Sequence, residues 1–238
     1  MELITLYTCK IGSHAYGLAT PESDLDLSGV VVPNDLSYFF GLNFFEQEIY
    51  KDQEDHVAWN LQKFAKLAAA ANTQMLEMLF SSEEHIITLH PLFNKYFLKN
   101  RDKFLTNKIY DVINGYAGSE YRKALGESSR DLGAVRKEDI NNFGYSCRNA
   151  SHCVRLLYAA KHALSTGVFP VMLPKDIRNT CMQLKRGVST LSEFKIDYEF
   201  WTVMLFEEKL RSVLKDEFDY NWLNQMLVNI HKDLLCKN

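Results

Sequence analysis

The hydrophobic period changes once along this chain, close to Trp59, and that change limits the folds open to it. Before it, apolar residues come in short runs separated by turn residues: Leu3 to Ile11, Asp24 to Val32 (closed by Pro33-Asn34-Asp35), and Phe44 to Tyr50. Runs of this kind read as strands, with Glu54 to Ala58 continuing or pairing with the third. His14 to Ala19 fits one or two helical turns, and Thr20-Pro21-Glu22-Ser23 a turn. Beyond Trp59 the spacing is helical. Trp59, Leu61, Phe64, Leu67 and Ala68 mark one helix, and Thr73 to Phe80 a second with Thr73 as its N-cap. Further helices are predicted over Pro91 to Phe104, Lys108 to Leu125, Asn141 to Thr166 (stopped by Gly167) and Pro174 to Arg186 (stopped by Gly187). Another runs from Thr190 to about Phe218 with a break near Ile196-Asp197, and Asn221 to Leu235 closes the chain. Polar Arg130 to Glu138 reads as a mobile loop. Strands first and helices afterwards argue for an α+β fold rather than an alternating βαβ fold. A small mixed-sheet unit is expected over 1–95 and a helical unit over 96–238, the junction falling between Phe80 and Lys103.

Bulk properties narrow the function classes. The 238 residues carry a net charge of −3. Nucleic-acid binding therefore needs a local basic patch, because the overall charge does not supply one. Hydrophobic residues make up 47% and charged residues 24%, enough apolar material for a substantial core. Cys9, Cys147, Cys153, Cys181 and Cys236 form no CxxC pair, no zinc spacing and no secreted disulfide framework. Reduced thiols in a cytoplasmic protein are the expectation. The start, Met-Glu-Leu-Ile-Thr, lacks the basic and apolar regions of a signal peptide. No stretch of about 18 apolar residues suggests a membrane span.

The chemistry concentrates between the first two strands. Gly12-Ser13 is followed by ten residues and then Asp24-Leu25-Asp26. A glycine lets backbone approach a ligand closely, and the Ser13 hydroxyl can bond a phosphate oxygen. A tight turn with an N-capping serine is the plain alternative. Asp24 and Asp26 stand at i and i+2, so on a strand they share a face. Aspartate is disfavoured in strands, and paired carboxylates repel unless a cation lies between them. Divalent magnesium or manganese prefers such oxygens together with substrate phosphates. A solvated strand edge is the competing reading. A phosphate holder beside paired carboxylates is the minimum for metal-assisted nucleotidyl transfer. His14 adjoins the phosphate turn, and Tyr16, if exposed, offers a ring face to a base. Farther on, Arg148, His152 and Arg155 share a helical face and could reach triphosphate or RNA backbone. A salt-bridged surface stripe would look the same. Glu77 lies within Met75-Leu-Glu-Met-Leu-Phe and could turn inward or face water.

Gly-Ser, a ten-residue spacer and Asp-x-Asp together resemble the signature of the polymerase-β-type nucleotidyltransferase superfamily. The fuller string over 12–30, GSHAYGLATPESDLDLSGV, is similar to a narrower branch, the RNA-ligase-associated (RlaP-like) nucleotidyltransferases. Asp55 to Phe80 resembles that branch's acidic residue, apolar helix and MLEMLF close. Asn149 to Leu157 resembles its His-x-x-Arg-Leu-Leu helix, and Gly167 to Leu173 with Leu184-Lys-Arg-Gly its later segment. The resemblance implies a palm-like domain holding two magnesium or manganese ions, with a third carboxylate from a neighbouring strand. Among Glu46, Glu48, Asp52, Glu54 and Asp55 it favours Asp55, just ahead of the first long helix. It implies an NTP substrate such as ATP, a functional role for Arg148, His152 and Arg155, and a nucleotidyltransferase acting on an RNA end, such as damaged transfer RNA (tRNA), in RNA repair. Three other activities fit parts of the sequence: nucleotidylation of a protein, as in antitoxin-like relatives, a noncatalytic nucleotide- or RNA-binding module, and a HEPN-like ribonuclease using Arg155 and His162. Oligomeric state is not legible.

Overall fold

The computed structural model describes residues 2–35, 37–40, 42–50, 55–127 and 133–235. It is a mixed α+β protein that divides into two compact units, Met1–Phe104 with Glu217–Asn238, and Leu105–Asp216.

The first unit is built on a five-stranded mixed sheet in the order β3-β4-β2-β1-β5. Its strands are β1 (Leu3–Ile11), β2 (Asp26–Pro33), β3 (Gln47–Tyr50), β4 (Asp55–Asn60) and β5 (Ile86–Leu89). β1 runs antiparallel to β2 and β5, β3 antiparallel to β4, and β2 parallel to β4. The parallel β2/β4 pair sits inside the sheet, where both of its edges are satisfied. Two expectations shift here. Trp59 belongs to β4, so the first long helix, α3 (Leu61–Ala69), starts two residues later. The Asn60 side chain caps it by accepting from the Gln62 and Lys63 amides. Asp24 lies before β2 and not within it.

Between β1 and β2 the chain makes the five-residue α1 (Gly12–Tyr16), and α2 (Ser37–Phe40) follows β2. α4 (Thr73–Leu79) is capped by Asn72, whose side chain accepts from the Met75 amide at 3.3 Å. Thr73, the expected cap, is the first helical residue and is buried. The helix expected over Pro91 to Phe104 breaks in two. α5 (Pro91–Tyr96) ends where the Asn100 side-chain amide donates to the Lys95 and Tyr96 carbonyls, both at 3.2 Å. A 3₁₀ segment, Leu98–Phe104, follows, with Asn100 outside helical geometry.

Stacked rings thread this unit. Tyr7 lies on Phe93 at 4.6 Å, Phe93 on Phe97 at 4.8 Å, and Phe97 on Phe104 at 5.9 Å. Phe104 then meets Trp222 of α11 (Tyr220–Leu235) edge-on at 5.5 Å. Such pairs add roughly 0.5–1.5 kcal/mol each beyond their buried area. They fasten the C-terminal helix to the sheet-bearing unit.

The second unit is helical: α6 (Lys108–Ala124), α7 (Ala134–Phe143), α8 (Cys147–Thr166), α9 (Lys175–Lys185) and α10 (Leu191–Arg211). α8 is its axis. Ala150, Val154, Leu157, Ala160 and Leu164 are buried against α6, α9 and α10. Glycines at 144 and 167, with φ of +81° and +71°, close α7 and α8 in the left-handed conformation that glycine adopts at least cost. Three expectations fail here. The helix expected over Asn141 to Thr166 is interrupted at 144–146, so that α8 starts only at Cys147 and residues 141–143 end α7. Part of the loop expected over Arg130 to Glu138 is helix α7, although 130–132 lie outside the described residues. The break expected near Ile196-Asp197 is absent, for α10 is continuous from a Thr190/Glu193 capping box to Arg211. No described helix is long and apolar enough to cross a membrane.

Candidate functional site

In the first unit, β1 ends at Ile11, which pairs across the antiparallel ladder with Asp26, the first residue of β2. The chain leaves β1 through Gly12 at a φ of +68°. A β-carbon built there would lie 2.6 Å from Asp26 Oδ2. Backbone at Gly12 and carboxylate at Asp26 are thus packed together, and no side chain fits between them. The Leu18 amide donates to the Ser13 carbonyl at 2.8 Å and closes α1. The returning turn is tied at both ends: the Ser23 amide donates to the Thr20 carbonyl, and the Thr20 amide to Ser23 Oγ, each at 2.9 Å. His14 Nε2 lies 3.4 Å from the Ser23 carbonyl. Ser13 and His14 thereby stay beside the segment that delivers exposed Asp24 and half-buried Asp26.

Asp55 opens β4 and pairs in register with Asp26 on the parallel β2/β4 ladder. Adjacent strands lie about 4.8 Å apart, so the two backbones are level and neighbouring. A tie two residues farther on steadies them: Trp59 Nε1 donates to Ser28 Oγ at 3.1 Å, and Ser28 Oγ to the Val57 carbonyl at 3.4 Å. Of the other acids considered for this position, Glu46 is bound to Lys63 at 2.8 Å and Glu48 pairs with Ala58 on the outer strand β3. Asp52 and Glu54 lie outside the described residues. Among the described side chains, which do not include that of Asp55, no group of three or more His, Cys, Asp or Glu is gathered as if for a metal.

Tyr16 is held at its hydroxyl end. It is half-buried, and its hydroxyl donates to Glu77 Oε2 at 2.6 Å. Glu77 itself is 5% exposed, so it turns inward from α4 and holds the end of α1. Beneath it, the Tyr7 hydroxyl donates to the Met78 carbonyl at 2.8 Å. Burial pushes the Cys9 thiol up to about 12, which leaves it no thiolate nucleophile near neutral pH.

Arg148, His152 and Arg155 belong to the second unit, on α8. Around them is a buried polar knot that sequence reading did not identify. Glu120 of α6, 4% exposed, accepts from Lys123 Nζ and from Asn149 Nδ2, both at 2.6 Å. Its Oε2 also lies 3.8 Å from His152 Nδ1. Ser146 Oγ donates to Asn149 Oδ1 at 2.9 Å. Tyr116 meets the His152 ring edge-on at 5.3 Å. Burial, then the charges of Arg155, Arg148 and Lys123, hold His152 well below its ordinary value. The ring is neutral at physiological pH. Arg155 is buried and Arg148 exposed. Arg155, Arg148 and Lys123 all act on the His152 ring, but Lys123 is paired with Glu120 and of the three only Arg148 is exposed. His162, the other half of the ribonuclease pairing, sits at the exposed end of α8. There its Nδ1 lies 3.1 Å from both the Val168 carbonyl and Thr166 Oγ1.

The chain shows three likenesses to known proteins. A crystal structure of a nucleotidyltransferase-like protein from Exiguobacterium sibiricum 255-15 aligns over 96% of this chain and 74% of its own, at 12% identity and a TM-score of 0.32. An uncharacterized 38.9 kDa protein of Enterobacteria phage T4, from the nrdC-mobD intergenic region, is 31% identical over 142 residues. That match spans 56% of this chain and 42% of the phage protein. Residues 2–223 match the family described as the RNA repair pathway DNA polymerase beta family, RlaP. With that match running from the start of β1 into α11, the chain belongs to the RlaP family of polymerase-β-type nucleotidyltransferases.

Proposed function

We propose that the protein is a metal-dependent nucleotidyltransferase that moves an NMP from an NTP to the hydroxyl of an RNA end, such as that of a tRNA under repair. The observation that carries this reading is the register of Asp26 with Asp55, with Gly12 backed against the Asp26 carboxylate. The donor set suits magnesium or manganese, because Asp24, Asp26 and Asp55 offer only hard carboxylate oxygens. The bare backbone at Gly12 lets the Asp26 carboxylate lie against it, where a β-carbon would displace Oδ2. Bound there, two such ions would offset the triphosphate charge and lower the pKa of the acceptor hydroxyl.

The chain's own groups divide the remaining work. Gly12 and Ser13 hold phosphate through backbone amides and the Ser13 hydroxyl, with His14 lining the same turn. Asp55 stands beside the incoming hydroxyl and takes its proton. Tyr16, anchored by Glu77, offers its ring to the base. On the second unit, Arg148 and His152 take phosphate of the RNA backbone, and buried Arg155 acts through its charge on His152. In the balanced step, the acceptor oxygen bonds to the α-phosphorus, the α–β phosphoanhydride breaks, and pyrophosphate leaves.

The test is incubation with each α-labelled NTP, magnesium or manganese, and RNA or protein acceptors. Label in RNA, lost in Asp26→Asn, is the expected result. Label in protein alone redirects the activity to protein nucleotidylation. No label with any NTP overturns the enzyme reading.

A further inference from the structure

We propose that α10 is a two-fold dimerisation face whose occupant is a second copy of this chain. α10 is apolar on two sides. One side, with Phe194 and Leu205, is buried within its own unit. The other presents Ile196, Phe200, Val203, Phe206 and Leu210, each between 50% and 72% exposed. At about 100° and about 1.5 Å per residue, these five side chains occupy an arc of about 120° over about 21 Å. Isolated exposed apolar residues are ordinary, but five aligned on one face mark an interaction site, even though Glu199 and Glu207 fall within the same arc.

The spacing of the stripe names the occupant. Ile196, Phe200, Val203, Phe206 and Leu210 are separated by four, three, three and four residues, a palindrome centred on Val203. An isologous interface requires a patch that matches itself. Two copies of α10, antiparallel about a dyad at Val203, place Val203 against its own copy. Phe200 then falls level with Phe206 and Ile196 with Leu210. Phe200 and Phe206 lie on opposite sides of the stripe's midline, so their rings pass side by side instead of colliding. The small residue sits at the axis and the large ones beside it. A different partner imposes no such symmetry on the spacing.

Size favours this pairing, and the acids it brings level, Glu199 with Glu207 of the second copy, must turn outward. Covering five such side chains removes about 600 Å² per copy, or about 1,200 Å² in all, the lower end for specific interfaces. Glu199 and Glu207 flank Val203 on the same face, four residues to either side. Glu207 is already paired with Arg211 at 3.4 Å, and both acids have long stems that can carry their carboxylates out to the rim.

Sedimentation velocity on the full chain is expected to show a monomer–dimer equilibrium with a midpoint of about 1–50 µM. Val203→Glu should raise the dissociation constant by about 100-fold or more, with circular dichroism and melting temperature showing that the fold is kept. The position of the dyad is tested by cross-linking in a Cys236→Ser background, where the remaining cysteines are buried. A short bis-maleimide should join Val203→Cys to its own copy. It should not join Ile196→Cys, whose copies stand about 21 Å apart along the pair. A chain that stays monomeric to about 100 µM overturns the proposal. So does a dimer indifferent to Val203→Glu, or cross-linking that favours position 196.

Discussion

Gly12 and Asp26 are in direct apposition: a β-carbon on Gly12 would reach 2.6 Å from Asp26 Oδ2, and Gly12 adopts a φ of +68°. Gly12→Ala therefore incurs two penalties. The left-handed backbone costs about 1–2 kcal/mol for a residue with a β-carbon. The new methyl also displaces the carboxylate, because the strand that bears it cannot shift without breaking the Ile11–Asp26 pairing. A misplacement of about 1 Å in a reacting group can cost about 100-fold in rate. The expected variant is a folded protein, slightly less stable by urea titration, whose nucleotidyl transfer is down by about two orders of magnitude. Unchanged transfer would show that Asp26 needs no such placement.

Asp26→Asn and Asp55→Asn test the carboxylates directly. Each removes a charged oxygen ligand while keeping shape. A loss of about 1,000-fold or more in labelling rate is expected, about 4 kcal/mol of transition-state stabilisation. A second readout is independent of turnover. Magnesium with NTP should raise the melting temperature of the parent chain, because a ligand that binds only the folded state stabilises it by mass action. EDTA should abolish that rise, and neither variant should show it.

The local geometry of the candidate site is legible in the sequence for identifiable reasons. β1 is bounded as expected because its apolar run ends at a glycine. The Gly12-Ser13 and Asp24-x-Asp26 spacing is local, so sequence carries it. What sequence could not carry is pairing across distance. Tyr16 and Glu77 are 61 positions apart, and Glu120 reaches Asn149 from another helix. Glu77 had one signal, a charged residue inside an apolar helical run, and Glu120, among Ser119, Arg122 and Lys123, had none. β5 escaped notice because four residues, Ile86 to Leu89, are too few to show alternation. α7 was read as loop because no described residue of it is buried, so it has no apolar stripe. α10 was read as broken for the opposite reason: apolar residues on both faces erase the single-face period.

Tyr16→Phe deletes the hydroxyl that donates to Glu77 Oε2 at 2.6 Å. Hydrogen bonds to charged groups contribute about 1.5–3 kcal/mol, and Glu77 is buried. A loss of about 2 kcal/mol by urea titration is expected. Glu77→Gln keeps an oxygen acceptor and the side chain's shape, so it should lose less than Tyr16→Phe. If Tyr16→Phe is as stable as the parent, the pair does not hold α1 in place.

His152 gives a pH dependence of definite sign. Burial and the charges of Arg155, Arg148 and Lys123 hold its folded value well below the usual histidine value, which is about 6.5 when unfolded. The unfolded chain therefore binds the proton more readily than the folded one. Stability from this group is complete above about pH 6.5 and declines as pH falls from there toward the folded value, by at most about 1.4 kcal/mol per pH unit. Urea midpoints measured from pH 7.5 to pH 5.5 should fall more steeply for the parent than for His152→Gln, which cannot take up the proton. A polyphosphate bound at exposed Arg148 would oppose the positive charges and raise the His152 value. NTP should therefore flatten the decline in the parent and leave the variant's profile alone. Parallel profiles for the two proteins would place His152 outside the titrating set.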